Sequence, residues 1–282
     1  MILRASIATL WVVLATTMTL GASDLNSLVR EYNEAKSRAS RKGKRRRGLT
    51  TGKRSSKSPE QVLDEIGKLA SDEALQFLTV EVEKAAENLA MRATESILKS
   101  GHARAHNIAF ALLSSKSTRT AKIVLDVVSP EPSSPKYGLD TFQFEWVSLK
   151  QELLSAAKRL KPSSLRARLM PLVAKLGLDG AKAILKYAPK KAAKNASDLQ
   201  LHFVSVRELI SVGSEAEVTR WLADEGHEFA KSNPGALSIL AETAGALEIR
   251  SLAPGLGRHL KEKGAVFVSV VEALSRLSKE IP

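Results

Sequence analysis

An all-α fold of stacked helix pairs is predicted by three observations. The chain of 282 residues is 44% hydrophobic but only 5% aromatic. Abundant Ala and Leu with few aromatics favour helices over a β-sandwich, whose strands want aromatic and β-branched residues. Strand-like runs are scarce, and the best of them, Val266–Val271, continues into the helix-forming Glu272-Ala273-Leu274. Third, helix corners recur. Val212-Gly213-Ser214-Glu215-Ala216 and Ala244-Gly245-Ala246-Leu247-Glu248 place Gly213 and Gly245 32 residues apart, and a third corner, Leu176-Gly177-Leu178-Asp179-Gly180-Ala181, lies 36 residues before Gly213. Periods in that range mark helical repeats.

The elements follow in order. Residues 1–23 read as a secretory signal, which places the protein outside the cytoplasm as a secreted or periplasmic one. Arg4 precedes the apolar run Ile7–Leu20, whose 14 residues fall short of the ~20 that cross a bilayer. Gly21, Ala22 and Ser23 offer cleavage sites; a short uncleaved anchor is the competing reading. Residues 24–38 form an amphipathic helix, with Leu25, Leu28, Val29, Tyr32 and Ala35 at helical spacing. It either docks a partner or packs on the protein's own helices. Residues 39–57 form a basic linker, predicted to be disordered.

The first helical-repeat block spans 58–128. Ser58-Pro59-Glu60-Gln61 has the pattern of a capping box with Pro in the first turn, and Ser71 or Asp72 caps the next helix. Helices are expected over His102–Leu113 and Thr118–Val128. The Pro-rich segment 129–139, with Pro130, Pro132 and Pro135, separates this block from a second one over 140–282. There Asp140 or Thr141 caps a helix reaching Leu160, Pro171 kinks the next, and Ala181 opens another after the Gly177 corner. Phe203–Leu260 reads as two helix pairs in succession.

The corners Leu69-Ala70-Ser71-Asp72-Glu73-Ala74, Leu176–Ala181 and Val212–Ala216 share a pattern: a hydrophobic helix end, small or acidic corner residues, then an Ala that begins the second helix. In this, and in Pro171, residues 58–280 resemble the HEAT-like group of helical repeats. The resemblance implies a right-handed solenoid of stacked antiparallel helix pairs, with a protein-binding concave face formed by the second helices. It transfers no catalytic residue.

The net charge of +13 is uneven: residues 36–57 carry +11 and residues 150–194 carry +10, while the remaining segments are mildly acidic. Candidate anion-binding residues are therefore Lys44, Arg45, Arg46 and Arg47 in the linker and Lys182, Lys186 and Lys190 at four-residue steps in the middle. They suit an anionic polymer or lipid surface, a solvated face, or, for the linker, basic-residue proteolysis. Tyr187 is the lone aromatic within the second run, which disfavours nucleic acid as the partner.

The absence of cysteine excludes disulfides, thiolate metal sites and cysteine nucleophiles. His102 and His106 have metal-like spacing, but Ala103 stands where a zinc protease needs Glu. Gly255-Leu256-Gly257 has neither the preceding strand nor the third glycine of a dinucleotide loop. Asn195-Ala196-Ser197 fits the glycosylation triplet. No catalytic, cofactor or metal residue is therefore assigned. The expected function is that of an exported, non-enzymatic scaffold for an unknown protein partner, with anionic-polymer or membrane-surface binding as the alternative. Phe203–Leu260 supports the architecture, and ligand contacts are expected in the basic segments or across its concave face.

Overall fold

The computed structural model describes residues 24–41, 57–129, 142–188 and 195–278. Among these residues every regular element is helical, and none is long and apolar enough to cross a membrane. The chain divides into two compact units between Ala109 and Phe110, inside a short helix, α5 (Ala105–Ala111). The division falls ahead of the Pro-rich 129–139 because the elements after Ala109 pack forward. A 3-10 turn, Leu112–Ser114, lies on α6 (Thr118–Val128) and α7 (Lys150–Arg159), and α6 lies on α8 (Ser163–Ala174).

The first unit holds α1 (24–41), α2 (Pro59–Lys68), α3 (Asp72–Lys84) and α4 (Glu87–Lys99). The expected capping box forms. Ser58 Oγ accepts from the Gln61 N–H at 3.3 Å while Gln61 Oε1 accepts from the Ser58 N–H at 2.9 Å, and Pro59 occupies the first turn. Ser71 caps α3. Helix α4 packs on both α2 and α3, burying Val62, Ile66, Leu75, Leu78 and Ile97 completely. Helix α1 lies on α3 through Tyr32, which is wholly buried. Its hydroxyl donates to Glu81 at 2.5 Å, its ring meets Phe77 edge-on, and Lys36 donates to the same Glu81 carboxylate at 2.8 Å. So α1 packs on the protein's own helices.

In the second unit, α6 has the predicted bounds, capped by Ser117. The helix expected from Asp140 or Thr141 to Leu160 is shorter. Both caps lie outside the described residues, 143–145 are not helical, and a 3-10 turn (Trp146–Leu149) leads into α7. The cause is aromatic packing: Phe110 meets Phe144 edge-on at 5.1 Å and Trp146 at 6.5 Å, and Phe142 stacks on Phe144. A helix through 142–146 would have splayed these side chains around its axis.

Helix α8 runs through Pro171 to Ala174, and Gly177 at φ 60° turns the chain into α9 (Leu178–Lys186). Ala181 is therefore a full turn inside α9 rather than its first residue. Asn195 caps α10 (Ala196–Gly213), its side chain accepting from the Asp198 N–H at 2.9 Å. The glycosylation triplet thus doubles as a helix start.

After α10 the chain forms α11 (Ala216–Trp221), a π-turn (Leu222–Gly226) and α12 (His227–Lys231), then α13 (Pro234–Ala246). It leaves α13 at Leu247, with Glu248 at φ 55°, and passes through a 3-10 turn (Arg250–Leu252) and α14 (Ala253–Gly257) before α15 (Ala265–Ser278). The two simple pairs expected over Phe203–Leu260 are thus corrected: α10 begins before Phe203, and the principal packing partner of α13 is α15, beyond Leu260. The strand-like Val266–Val271 is helical. The repeat signal nevertheless has a physical meaning. A Cβ on Gly213 would lie 2.5 Å from Leu247 Cδ1, so the corners 32 residues apart stack on each other. The longer helices pack one on the next (α8 on α10, α10 on α13, α13 on α15), with the short elements between them, the stacking of a helical-repeat, solenoid-like fold.

Candidate functional site

Helices α10, α13 and α15 enclose a groove of about 520 Å³. Its mouth is apolar: Leu199 and Phe203 on α10 face Val266 and Val268 on α15. Phe203 is 60% exposed and Val268 52%, an unusual state for large apolar side chains gathered at one cavity. Val206 and Ile210 extend the α10 stripe into a neighbouring pocket of about 160 Å³ that shares Glu242, Ser269 and Glu272 with the groove. Leu199, Phe203, Val206 and Ile210 recur at three- and four-residue steps, which puts them on one face of α10.

The floor is polar. Glu242 Oε1 receives hydrogen bonds from His202 Nε2 at 2.8 Å, from Ser269 Oγ at 2.8 Å and from Ser238 Oγ at 3.3 Å. The two serine oxygens are 2.5 Å apart. Small residues bring α13 and α15 this close: a Cβ on Gly245 would stand 3.0 Å from Ala273 Cα. Burial raises the Glu242 pKa, but the hydrogen bond and charge of His202 and the two hydroxyls outweigh it and hold the carboxyl below its ordinary range. The carboxylate is thus the hub: the imidazole nitrogen bonds to it, and the two hydroxyl protons are shared among the Ser269–Glu242, Ser238–Glu242 and Ser238–Ser269 contacts. Neither serine is hydrogen-bonded to the imidazole, so the arrangement does not make the nucleophile–base pair of acyl-transfer chemistry. What it does make is a rigid acceptor beneath an apolar mouth, rimmed by Asp198, Glu272 and Lys263.

A pH dependence follows. A carboxylate with a depressed folded pKa contributes stability above its unfolded value, near 4.5, and that contribution is lost as pH falls through the lower folded value. Thermal melts followed by circular dichroism should show wild type more stable than Glu242→Gln at neutral pH. The difference should shrink only once the pH drops below about 4.5.

The residues singled out in the sequence lie elsewhere. Lys44, Arg45, Arg46, Arg47 and Lys190 fall outside the described residues, as do the signal at 1–23 and most of the linker. Lys182 and Lys186 are both on α9 but face different surroundings. Lys182 Nζ stands over the Trp221 ring at 5.6 Å, whereas Lys186 is exposed, with its Nζ 5.6 Å from the Tyr187 ring centre. Lys182 is thus drawn into an aromatic contact of the fold. His102 precedes α5, where its Nδ1 accepts from the Arg104 N–H at 3.1 Å. It therefore does not share a helix face with His106. Among the described residues no group of three His, Cys, Asp or Glu has the spacing of a metal centre.

The groove itself was missed because its polar members come from three helices. One signal was present: Ser238 and Glu242 are four apart within the otherwise apolar α13, where buried polar groups need partners. Comparison of the chain with protein-family models, curated proteins and solved structures gives no match.

Proposed function

We propose that the protein is an exported, non-enzymatic helical-repeat scaffold of the HEAT-like kind, and that it holds a basic amphipathic segment of a protein partner in the α10–α13–α15 groove. The observation that carries this reading is the groove itself, with half-exposed Leu199, Phe203 and Val268 over a satisfied polar floor. An apolar stripe opposite a second helix is the geometry that receives the apolar face of an amphipathic helix. The basic character of the occupant is argued from charge. The groove is lined by the carboxylates Asp198, Glu242 and Glu272 and by a single lysine, Lys263, and an occupant bearing Lys or Arg beside its apolar face complements that imbalance. The apolar run Ile7–Leu20 supports export, and Pro171 in α8 with the Gly177 corner supports the HEAT-like assignment. Binding of an anionic polymer or membrane surface is less favoured, because Lys182 is engaged with Trp221.

The test uses two designed helical peptides, one of Leu and Lys and one of Leu and Glu with the same apolar face, followed by fluorescence anisotropy. The Leu/Lys peptide should bind, and the Leu/Glu peptide should bind at least about tenfold more weakly. Phe203→Asp and Val268→Asp should each weaken the first peptide by about 10–100-fold, the loss of one buried apolar side chain, with helicity unchanged. Equal binding of both peptides, or full binding by the two variants, overturns the reading.

A further inference from the structure

The hydroxyls and the imidazole Nε2 on the groove floor are engaged, yet one acceptor stays open. All three contacts to Glu242, from His202 on α10, Ser238 on α13 and Ser269 on α15, fall on Oε1. Its Oε2 accepts from none of the described residues and is not sealed from solvent. The Glu242 side chain is 27% exposed, and it lines both the 520 Å³ groove and the adjoining 160 Å³ pocket. The free oxygen therefore opens into the cavity. Bonds from three helices hold it in place before any ligand arrives, so binding to it costs little ordering of the site. The carboxyl, held below its ordinary range despite burial, is charged at neutral pH. No cation of the chain is paired with it: Lys263 lines only the larger cavity and Arg276 only the smaller, and neither bonds to Glu242. Glu272 lines both cavities beside it and, among the described residues, has neither a hydrogen bond nor an ion pair.

We propose that the occupant carries a lysine within its apolar face, and that this lysine passes the mouth and sets its ammonium on Glu242 Oε2, with Glu272 as a second acceptor. The inference rests on the reading of the groove as the seat of an amphipathic helix, and it names the side chain that the groove selects. A lysine has the form the cavity asks for. Its four-carbon stem packs against apolar groups while the charged head reaches a polar end, here along Leu199, Phe203 and Val268 to the floor. The ammonium brings three donors that can be shared between two carboxylates. Arginine fits less well. Its advantage is a bidentate grip on both oxygens of one carboxylate, and Glu242 Oε1 is already taken by the protein.

The experiment uses the full chain and three labelled amphipathic peptides, alike except at the centre of the apolar face, where they carry lysine, arginine or norleucine. By fluorescence anisotropy the lysine peptide should bind at least about tenfold more tightly than the norleucine peptide, and more tightly than the arginine peptide. Burial of apolar surface alone orders lysine and norleucine the other way. Glu242→Gln should erase the lysine preference, and Glu272→Gln should reduce it. Because Glu242→Gln also costs stability, the wild-type chain supplies a second readout: the carboxyl carbon signal of Glu242 in ¹³C NMR should move on binding the lysine peptide and much less with norleucine. The proposal is overturned if norleucine or arginine binds as tightly as lysine, if a folded Glu242→Gln keeps the preference, or if the Glu242 signal does not respond to the lysine peptide. Equal binding of the lysine and norleucine peptides leaves the groove reading standing and removes the lysine anchor; binding of none removes both.

Discussion

Replacing Gly180 with alanine is expected to destabilise the second unit by about 3 kcal/mol, lowering its melting temperature by roughly 6–12 °C. Gly180 lies near the start of α9, where the chain has just reversed out of α8. A Cβ on it would sit 2.2 Å from the carbonyl oxygen of Val173 and 3.1 Å from that residue's carbonyl carbon. The obstruction is backbone at the end of α8, so no side chain can swing aside. The carbonyl is also in use, accepting from the Leu176 N–H at 3.0 Å. The gain in helix propensity from Gly to Ala, about 1 kcal/mol, is too small to offset reopening the α8–α9 corner. Gly257→Ala is the matched control. A Cβ there meets nothing within 4 Å, so stability should hold or rise slightly. Equal melting temperatures for the two variants would show that the corner is looser than its geometry.

Tyr32→Ala is expected to release α1 from the first unit at a cost of about 3–5 kcal/mol, the range for truncating a large buried aromatic. Tyr32 and Ala35 are the buried apolar residues of this helix. Tyr32 combines ring packing on Phe77 with the hydrogen bond to Glu81. Burial, then the Glu81 hydrogen bond, raises the phenol's pKa and keeps it a donor. Amide hydrogen exchange should show α1 fully unprotected in Tyr32→Ala while α2 and α3 keep their protection. Tyr32→Phe retains the ring and should cost about 1–2 kcal/mol, since Lys36 still neutralises Glu81. Protection of α1 in the alanine variant would mean that another contact holds it.

How far the chain could be read in advance depended on the range of the interactions involved. The capping box at Ser58, the cap at Ser71 and the bounds of α6 are legible because caps and amphipathic stripes are local. The non-helical 143–145 was not, because Phe144 is claimed by Phe110, more than thirty residues away. The repeat spacing of Gly213 and Gly245 correctly marked close crossings, yet it could not show that α14 intervenes before α15. The π-turn before His227 left no local signature. The groove was hidden for the same reason as the aromatic cluster: His202, Glu242 and Ser269 meet only when three helices stack. Charge, the loudest feature of the sequence, pointed to the linker and to α9, whereas the apolar cavity lies among mildly acidic elements.

One wall of that cavity has a property of its own. Helix α15 is the last described element and packs chiefly on α13, with a smaller contact to α14. Its other side presents Phe267 and Val271 partly to solvent. Among the described residues α15 is held through its α13 and α14 contacts, so loss of these would free it. The groove is therefore walled by a helix held chiefly from one side, and the Ser238–Ser269–Glu242 bonds are the latch. An occupant that bridges α10 and α15 would give α15 a second hold and slow its opening, so that filling the site would also stiffen the packing around it.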